Sequence, residues 1–570
     1  MPYVALSDVW GGVKSLNCLR CNVHELQIPS ILSVESKGVV LPKTIRDAMG
    51  LVELLRERYL WVDSLCIVQD GPGKQLELAK MSAIFANAMV TVVAADGFDA
   101  NHGLQGLPGI STPRCIRQKV FRLGRGMYVL EDDDAPSVGA NDGSVWATRG
   151  WTFQEQLFSR RKLCFERGQV VWRCTDACWS EAEESTGARQ TGIDKDQQDR
   201  ALFLQDGPNI WPLVRILDQY NQRTFTYPED CLRAFDGIAY ALESSYEGGF
   251  VSGLPVTFFG IALLWRPRKQ AVRRVAANKK ASDENSLPSR SYAGWKGGLN
   301  FTNWSSVMDL IKHKPSAVIP GAVDCHVFPT VAWAFRRRPG DEATPMRESW
   351  QEQRVRYSKG EDMRSCPPGW TRHDMSDFPY RKGRDEYRPP SAPTAPRWVF
   401  KHASDTDSEF WYPIPIPANK SPESEQRPLS VSVPFISSRV RRAWAVGGER
   451  CKAPDPTIYL RDALGRWIGA LQLHNDDGAW KPGDSSARKW LELVEISRGQ
   501  HPEKFPDPSF EPPKEGREAR PRSSTDGYVK FYFVLWIEWV GGIAYRRGLG
   551  HVDKESWEAL GLETIDLLLG

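Results

Sequence analysis

Between residues 59 and 68 the chain is apolar at every position except Asp63 and Ser64. A run that is apolar on both faces predicts a strand buried inside a parallel sheet with helices covering both sides. Upstream, Ile45, Ala48, Met49, Val52 and Leu55 recur at helical spacing, and Thr44 with Asp47 has the spacing of a capping box after Pro42. Downstream, Leu78, Met81, Phe85 and Ala88 form a second helical stripe that leads into the apolar run 90–95, a second buried strand. A short strand over Tyr3–Ser7 opens the chain, so near Met1 that upstream sequence is expected to have been lost. Helices and strands in alternation predict an α/β domain on a parallel, flavodoxin-like sheet.

Past this core, residues 96–103 read as a turn-rich loop. Segments 120–123 and 127–130 read as one hairpin, and 163–165 with 170–172 as another. Helical stripes return at Trp211, Val214, Leu217 and Tyr220, and again at Leu232, Phe235, Ile238 and Leu242. From 301 onward short aromatic strands dominate, among them 431–435, 457–460, 467–473, 491–496 and 531–539, which predicts a mostly antiparallel β module. Segments 339–395 and 499–526, rich in proline and charge, read as mobile loops. The expected division is therefore an α/β domain over 1–180, a helical extension over 181–300 and a β-rich module over 301–570.

Composition narrows the function. A net charge of +3 over 570 residues argues against a protein that coats nucleic acid. The basic stretch 266–280, with seven Lys or Arg, reads as a solvated loop. No apolar run reaches the roughly 20 residues that span a bilayer, and the first residues lack the pattern of a signal peptide, so an intracellular protein is expected. Eleven cysteines without a secretory signal read as reduced thiols. Cys18-x-x-Cys21 and Cys174-x-x-x-Cys178 have no histidine at ligand spacing, which argues against zinc. A thiol enzyme built on Cys66 is disfavoured because a thiolate inside so apolar a strand would be costly. The glycines around 71–74 and 97–109 complete no phosphate-binding loop.

In open parallel sheets, ligands collect beyond the carboxyl ends of the strands. Asp8 follows the first strand, Asp63 and Ser64 fall late in the second, and Asp96 follows the third. In Arg149-Gly-Trp-Thr-Phe-Gln-Glu155, Gly150 permits a tight turn, and Trp151, Gln154, Glu155 and Phe158 then share one helical face. A purely structural reading has Glu155 paired with Arg149, Arg160 or Arg161.

Five ordered blocks carry a family resemblance: residues 4–11 (VALSDVWG), 41–48 (LPKTIRDA), 59–70 (YLWVDSLCIVQD), 81–88 (MSAIFANA) and 149–155 (RGWTFQE). Together they resemble the fungal heterokaryon-incompatibility (HET) domain, and the segments 220–237, 253–255, 262–265, 288–297 and 536–550 resemble its longer members. The resemblance implies a cytoplasmic fungal protein of non-self recognition and regulated cell death, acting through protein partners or self-association, with no nucleic acid and no membrane span. It also implies a fold similar to Toll/interleukin-1 receptor (TIR) domains. In TIR domains that cleave NAD a Glu lies four residues after a Trp on a helix, as Glu155 does after Trp151. By that analogy Glu155 is the candidate catalytic residue, NAD the candidate substrate, and Ser7, Asp8, Trp10, Asp63, Ser64, Asp96 and Trp151 the candidate ligand-binding residues, with no metal. Asp8 stands where the family usually carries Tyr, which leaves a degenerate, non-catalytic module as a further alternative.

Overall fold

A computed structural model describes residues 1–33, 40–114, 118–124, 127–132, 143–175, 177–181, 210–243, 245–275, 287–313, 325–358, 366–374, 398–403, 405–410, 412–414, 434–450, 456–475, 489–502 and 528–570. The chain divides into two compact units. The first comprises Met1–Leu204, Arg223–Thr226 and Arg233–Ile238, and the second Gln205–Gln222, Tyr227–Leu232 and Ala239–Gly570.

In the first unit the described elements are β1 (Val4–Ser7), α1 (Val23–Leu26), α2 (Lys43–Leu54), β2 (Leu60–Trp61), α3 (Asp63–Cys66), α4 (Lys74–Ala79), α5 (Met81–Asn87) and β3 (Val90–Ala94). They continue with β4 (Gln118–Gly124), β5 (Met127–Asp132), α6 (Val145–Thr148), α7 (Trp151–Phe158), β6 (Arg161–Glu166), β7 (Gln169–Cys174) and β8 (Cys178–Ser180). The main sheet has the order β2-β1-β3-β6-β7-β8. Strands β2, β1, β3 and β6 are parallel, and β7 and β8 extend the edge as antiparallel strands. The expected α/β class with a parallel sheet is observed, and both expected hairpins form as β4–β5 and β6–β7.

Alternation along β1 decides which helix each side chain meets. Val4 and Leu6 pack with Ile45, Ala48 and Val52 of α2. Ala5 packs on the opposite face with Met81 and Phe85 of α5, and Phe158 of α7 joins that cluster. Ser7 shares a face with Ala5, and Glu155 lies one helical turn before Phe158. One step along the strand and one turn back along the helix therefore bring Ser7 and Glu155 together.

Three local expectations are corrected. The run 59–68 is not a central strand: only Leu60–Trp61 is extended, at the sheet edge, and the chain then turns into α3. A short apolar run is compatible with either geometry, and here Val62, Ser64 and Ile67 take the buried positions while Cys66 is exposed. Burial in a strand therefore does not explain Cys66. Thr44 and Asp47 form no capping box; their side chains instead accept the backbone N–H groups of Gly103 and Leu104, at 3.0 and 2.8 Å, and anchor the loop that follows β3. Part of the expected mobile loop 339–395 is regular, with a strand at Thr344–Pro345, a helix at Ser349–Ser358 and a strand at Trp370–Asp374. Residues 359–365 and 375–395 of that segment, and 503–526 of the other, lie outside the described residues, and 499–502 end the strand Lys489–Pro502 instead of opening a loop.

The second unit contains helix α8 (Ile210–Asn221), and helix α9 (Asp230–Leu242) gives its middle to the first unit. Six long strands, Phe435–Arg450, Thr457–Arg461, Trp467–Leu473, Lys489–Pro502, Tyr528–Val540 and Ile543–Asp553, then pair antiparallel in a ring. The ring closes because Phe435–Arg450 pairs with both Thr457–Arg461 and Lys489–Pro502. Ala443, Ala445, Leu491, Leu493, Val534 and Trp557 belong to the apolar cluster that fills this small barrel. The expected antiparallel character is observed.

Candidate functional site

The chain passes from β1 to β2 on one side and then crosses β1 to reach β3 on the other, so the strand order reverses at β1. Open sheets of this order accept ligands beyond the carboxyl end of the strand at which the order reverses. Ser7 ends that strand and Asp8 follows it.

Ser7 is buried, and its hydroxyl donates to Oε2 of Glu155. The same hydroxyl accepts the indole N–H of Trp146 at 2.7 Å. Asp63 accepts the indole N–H of Trp10 at 3.1 Å and its neighbour's backbone N–H, from Ser64, at 2.6 Å. Ser64 is buried, and its carbonyl accepts the backbone N–H of Cys18 at 2.8 Å.

The three acids influence one another. The Glu155 carboxyl is raised to about 8, chiefly by burial and also by Asp63 and Asp8, against the opposing Ser7 hydrogen bond and Arg149. Asp8 is pushed up to about 7, chiefly by burial and then by Asp63, with Arg149 acting against both. Asp63 is also raised, by burial, against the Trp10 and Ser64 hydrogen bonds. Three carboxyls with one guanidinium nearby cannot all ionise at low cost, so near neutral pH the cluster retains protons.

Helix α7 is fixed from the far side by chain much later in the sequence. Gly150 donates its N–H to the carbonyl of Thr224 at 2.9 Å, and a Cβ at Gly150 would lie 1.9 Å from the Phe225 ring. The expected tight turn at Gly150 is thus a packing requirement. Arg223 donates to the Arg149 carbonyl, to Thr152 Oγ1 and to Gln156 Oε1, and lies 4.8 Å from the centroid of the Phe153 ring. The Gln154 amide donates to the carbonyl of Ala234.

Of the sequence candidates, Ser7, Asp8, Trp10, Asp63 and Glu155 come together through the Ser7–Glu155 and Trp10–Asp63 hydrogen bonds and the mutual influence of the three acids, while Ser64 is buried beside Asp63 and its described hydrogen bonds are made by its backbone. Trp151 is half-buried at the first position of α7, before the turn that holds Glu155. Asp96 is engaged elsewhere. Its carboxylate accepts the backbone N–H groups of Arg167 and Gly168, capping the β6–β7 turn, and the adjoining cavity of about 10 Å³ holds no more than one water. Among the described residues Glu155 has no ion pair with Arg149, Arg160 or Arg161. Sequence reasoning missed Trp146, which fixes the Ser7 hydroxyl; its only local signal is the Ser144 cap that starts α6. A larger cavity, about 660 Å³, lies between α2 and β2 and is lined by Ile45, Met49, Leu60, Val62, Leu65 and Cys66 among others. Asp63 and Ser64, on the other side of the same turn, do not line it.

Residues 3–155 match the family described as heterokaryon incompatibility protein (HET). The chain carries a HET domain. The match runs from the residue before β1 to Glu155, so the Ser7–Glu155 pair spans nearly its full length. Comparison with curated proteins finds no match, and neither does comparison with solved structures. Among the described residues of this HET protein, no group of three or more His, Cys, Asp or Glu is placed to hold a metal ion, and no helix is long and apolar enough to cross a membrane.

Proposed function

We propose that this HET protein is a cytoplasmic effector of fungal non-self recognition, and that its HET domain promotes cell death by cleaving the bond between nicotinamide and ribose in NAD at the acids around Glu155. The observation that carries this reading is the Ser7–Glu155 hydrogen bond, which holds a buried carboxyl where the strand order reverses, with Asp8 and Asp63 beside it. Water adds to the anomeric carbon, nicotinamide leaves with the electrons of the C–N bond, and the proton goes to solvent. Glu155 accepts hydrogen bonds from the ribose hydroxyls and stabilises the positive charge that develops on the sugar ring. The pyridinium charge of NAD favours the ionised carboxyl, which burial otherwise disfavours.

A second reading has the HET domain act through protein association alone, with the acids as structure. Its support is that Glu155 is only 7% exposed and that the cavity of about 660 Å³ among the described residues of this unit lies at α2 and β2. Incubating the full-length protein with NAD and following nicotinamide release separates the two. Cleavage predicts release by the native protein and a loss of about 100-fold or more in folded Glu155→Gln. No release at high protein concentration, or equal release by the variant, leaves association.

A further inference from the structure

Helix α1 buries none of its residues, so Leu26 stays half-buried, as does Leu32 beyond it. Both line the cavity of about 660 Å³ beside α2 and β2. Ile45, Met49 and Val52 recur at the spacing that puts them on one face of α2, and all three line the same cavity. Eight of its thirteen lining residues are Leu, Ile, Val or Met. The walls are held in place by the core: Ile45, Val52 and Val62 belong to the buried cluster around β1, and Leu32, Leu60 and Leu65 pack against it. Met49 is 37% exposed, so water reaches this apolar wall. Small-molecule sites are preformed recesses of roughly 300–1,000 Å³, mostly apolar with a few polar groups, and this cavity has that size and make-up.

The charged lining indicates the class of ligand. It comes from one short stretch, Glu53, Arg56, Glu57 and Arg58, where α2 ends and the chain turns toward β2. Two carboxylates offset two guanidiniums, so the rim offers no surplus charge of either sign. The carbonyl end of α2 lies at the same rim and disfavours an anion, while a cation would face Arg56 and Arg58. Carrying a charged headgroup into such a recess costs far more than carrying a hydroxyl or amide, which can donate to the glutamates or accept from the arginines.

We propose that this cavity binds a small neutral lipophile, whose apolar body lies on Ile45, Met49 and Val52 and whose hydroxyl, carbonyl or amide group meets the rim at residues 53–58. Neither Asp63 nor Ser64 lines the cavity, so the site stands apart from the acids around Glu155 and does not depend on the NAD reading.

The test titrates the full-length protein with Nile red, a neutral lipophilic dye, followed by fluorescence. Labelling by N-ethylmaleimide, read by peptide mass mapping, locates the dye, because Cys66 lines the cavity and Cys21 is exposed outside it. Saturable binding is expected, with affinity unchanged between low and high salt. At a dye concentration tenfold above its Kd, Cys66 labelling should slow about tenfold while Cys21 labelling does not change. Decanol should displace the dye at concentrations about tenfold lower than decanoate or decyltrimethylammonium, which carry the same chain on a charged head. Met49→Glu should weaken the dye about tenfold, while Met49→Leu keeps most of its affinity. Because Met49 is partly exposed, both variants should melt like the native protein. The proposal fails if the dye does not saturate, if Cys66 labels equally fast with and without it, or if folded Met49→Glu binds as tightly as the native chain. It also fails if either charged decyl compound displaces the dye as well as decanol does. Failure on any of these counts leaves the NAD reading untouched, since none of them follows nicotinamide release.

Discussion

The Ser7 hydroxyl joins Trp146 to Glu155, accepting from the indole and donating to the carboxyl. Replacing Ser7 with Ala strips a buried indole N–H of its acceptor and removes the one hydrogen bond that opposes the upward shift of Glu155. Ser7→Ala should lose roughly 1–3 kcal/mol in urea unfolding at neutral pH. An unchanged unfolding midpoint would mean that this bond contributes nothing.

Glu155 gives the first unit a pH dependence of predictable sign. Its carboxyl is raised from 4.5 to about 8, so between those values the folded state holds a proton that the unfolded chain has released. The unfolded state then binds fewer protons, and stability falls as pH rises. Asp8, raised to about 7, adds to the same trend. Relative to Glu155→Gln, the native protein should lose roughly 2–4 kcal/mol between about pH 5 and pH 8. Parallel stability curves for the two proteins would show that Glu155 does not titrate in that window.

If Glu155 works as a carboxylate, nicotinamide release should climb with pH and level off above about 8, the value to which burial raises the group. A rate that stays flat from about pH 6 to 9 would detach catalysis from this ionisation.

Gly150→Ala should destabilise the first unit by roughly 1–3 kcal/mol, because the added methyl meets the Phe225 ring and neither backbone can withdraw without breaking the Gly150–Thr224 hydrogen bond. Thermal melting of the full-length protein, followed by near-ultraviolet circular dichroism, reads this directly. Pairing the change with Phe225→Ala should recover part of the loss, since the clash is between these two groups.

Asp96→Ala should behave differently from changes at Ser7 or Glu155. It leaves two N–H groups of the β6–β7 turn without an acceptor, at a corner where Arg167 already holds φ at +53°. A stability loss of roughly 1–3 kcal/mol is expected, with nicotinamide release per folded molecule unchanged. Loss of release in folded Asp96→Ala would return this residue to the site.

The sequence was most legible where one face repeats. The stripe of α2, the apolar run of β3 and the alternation in the carboxyl-terminal strands all fold as their periods predict. It misled where a short apolar run had two solutions: residues 59–68 could be strand or turn, and packing of Val62 and Ile67 decided for the turn. Thr44 and Asp47 had the right spacing for a cap, but the loop after β3 offered their oxygens buried N–H partners. At the acids, proximity in space followed from strand order, which placed Asp8, Asp63 and Glu155 together and turned Asp96 toward its hairpin. The Arg223 and Ala234 contacts to α7 span 67 to 80 residues of chain, and barrel closure pairs strands that no local pattern links.

The helix that presents Glu155 is clasped by Arg223 and by the carbonyl of Ala234, both downstream of the family match. A proteolytic nick between Glu181 and Ile210 would leave every matched residue intact and these contacts joined only through space, whereas a stop codon there would remove the clasp altogether. The working part of this protein is therefore longer than the stretch by which it is recognised, and the posture of Glu155 is governed from outside that stretch.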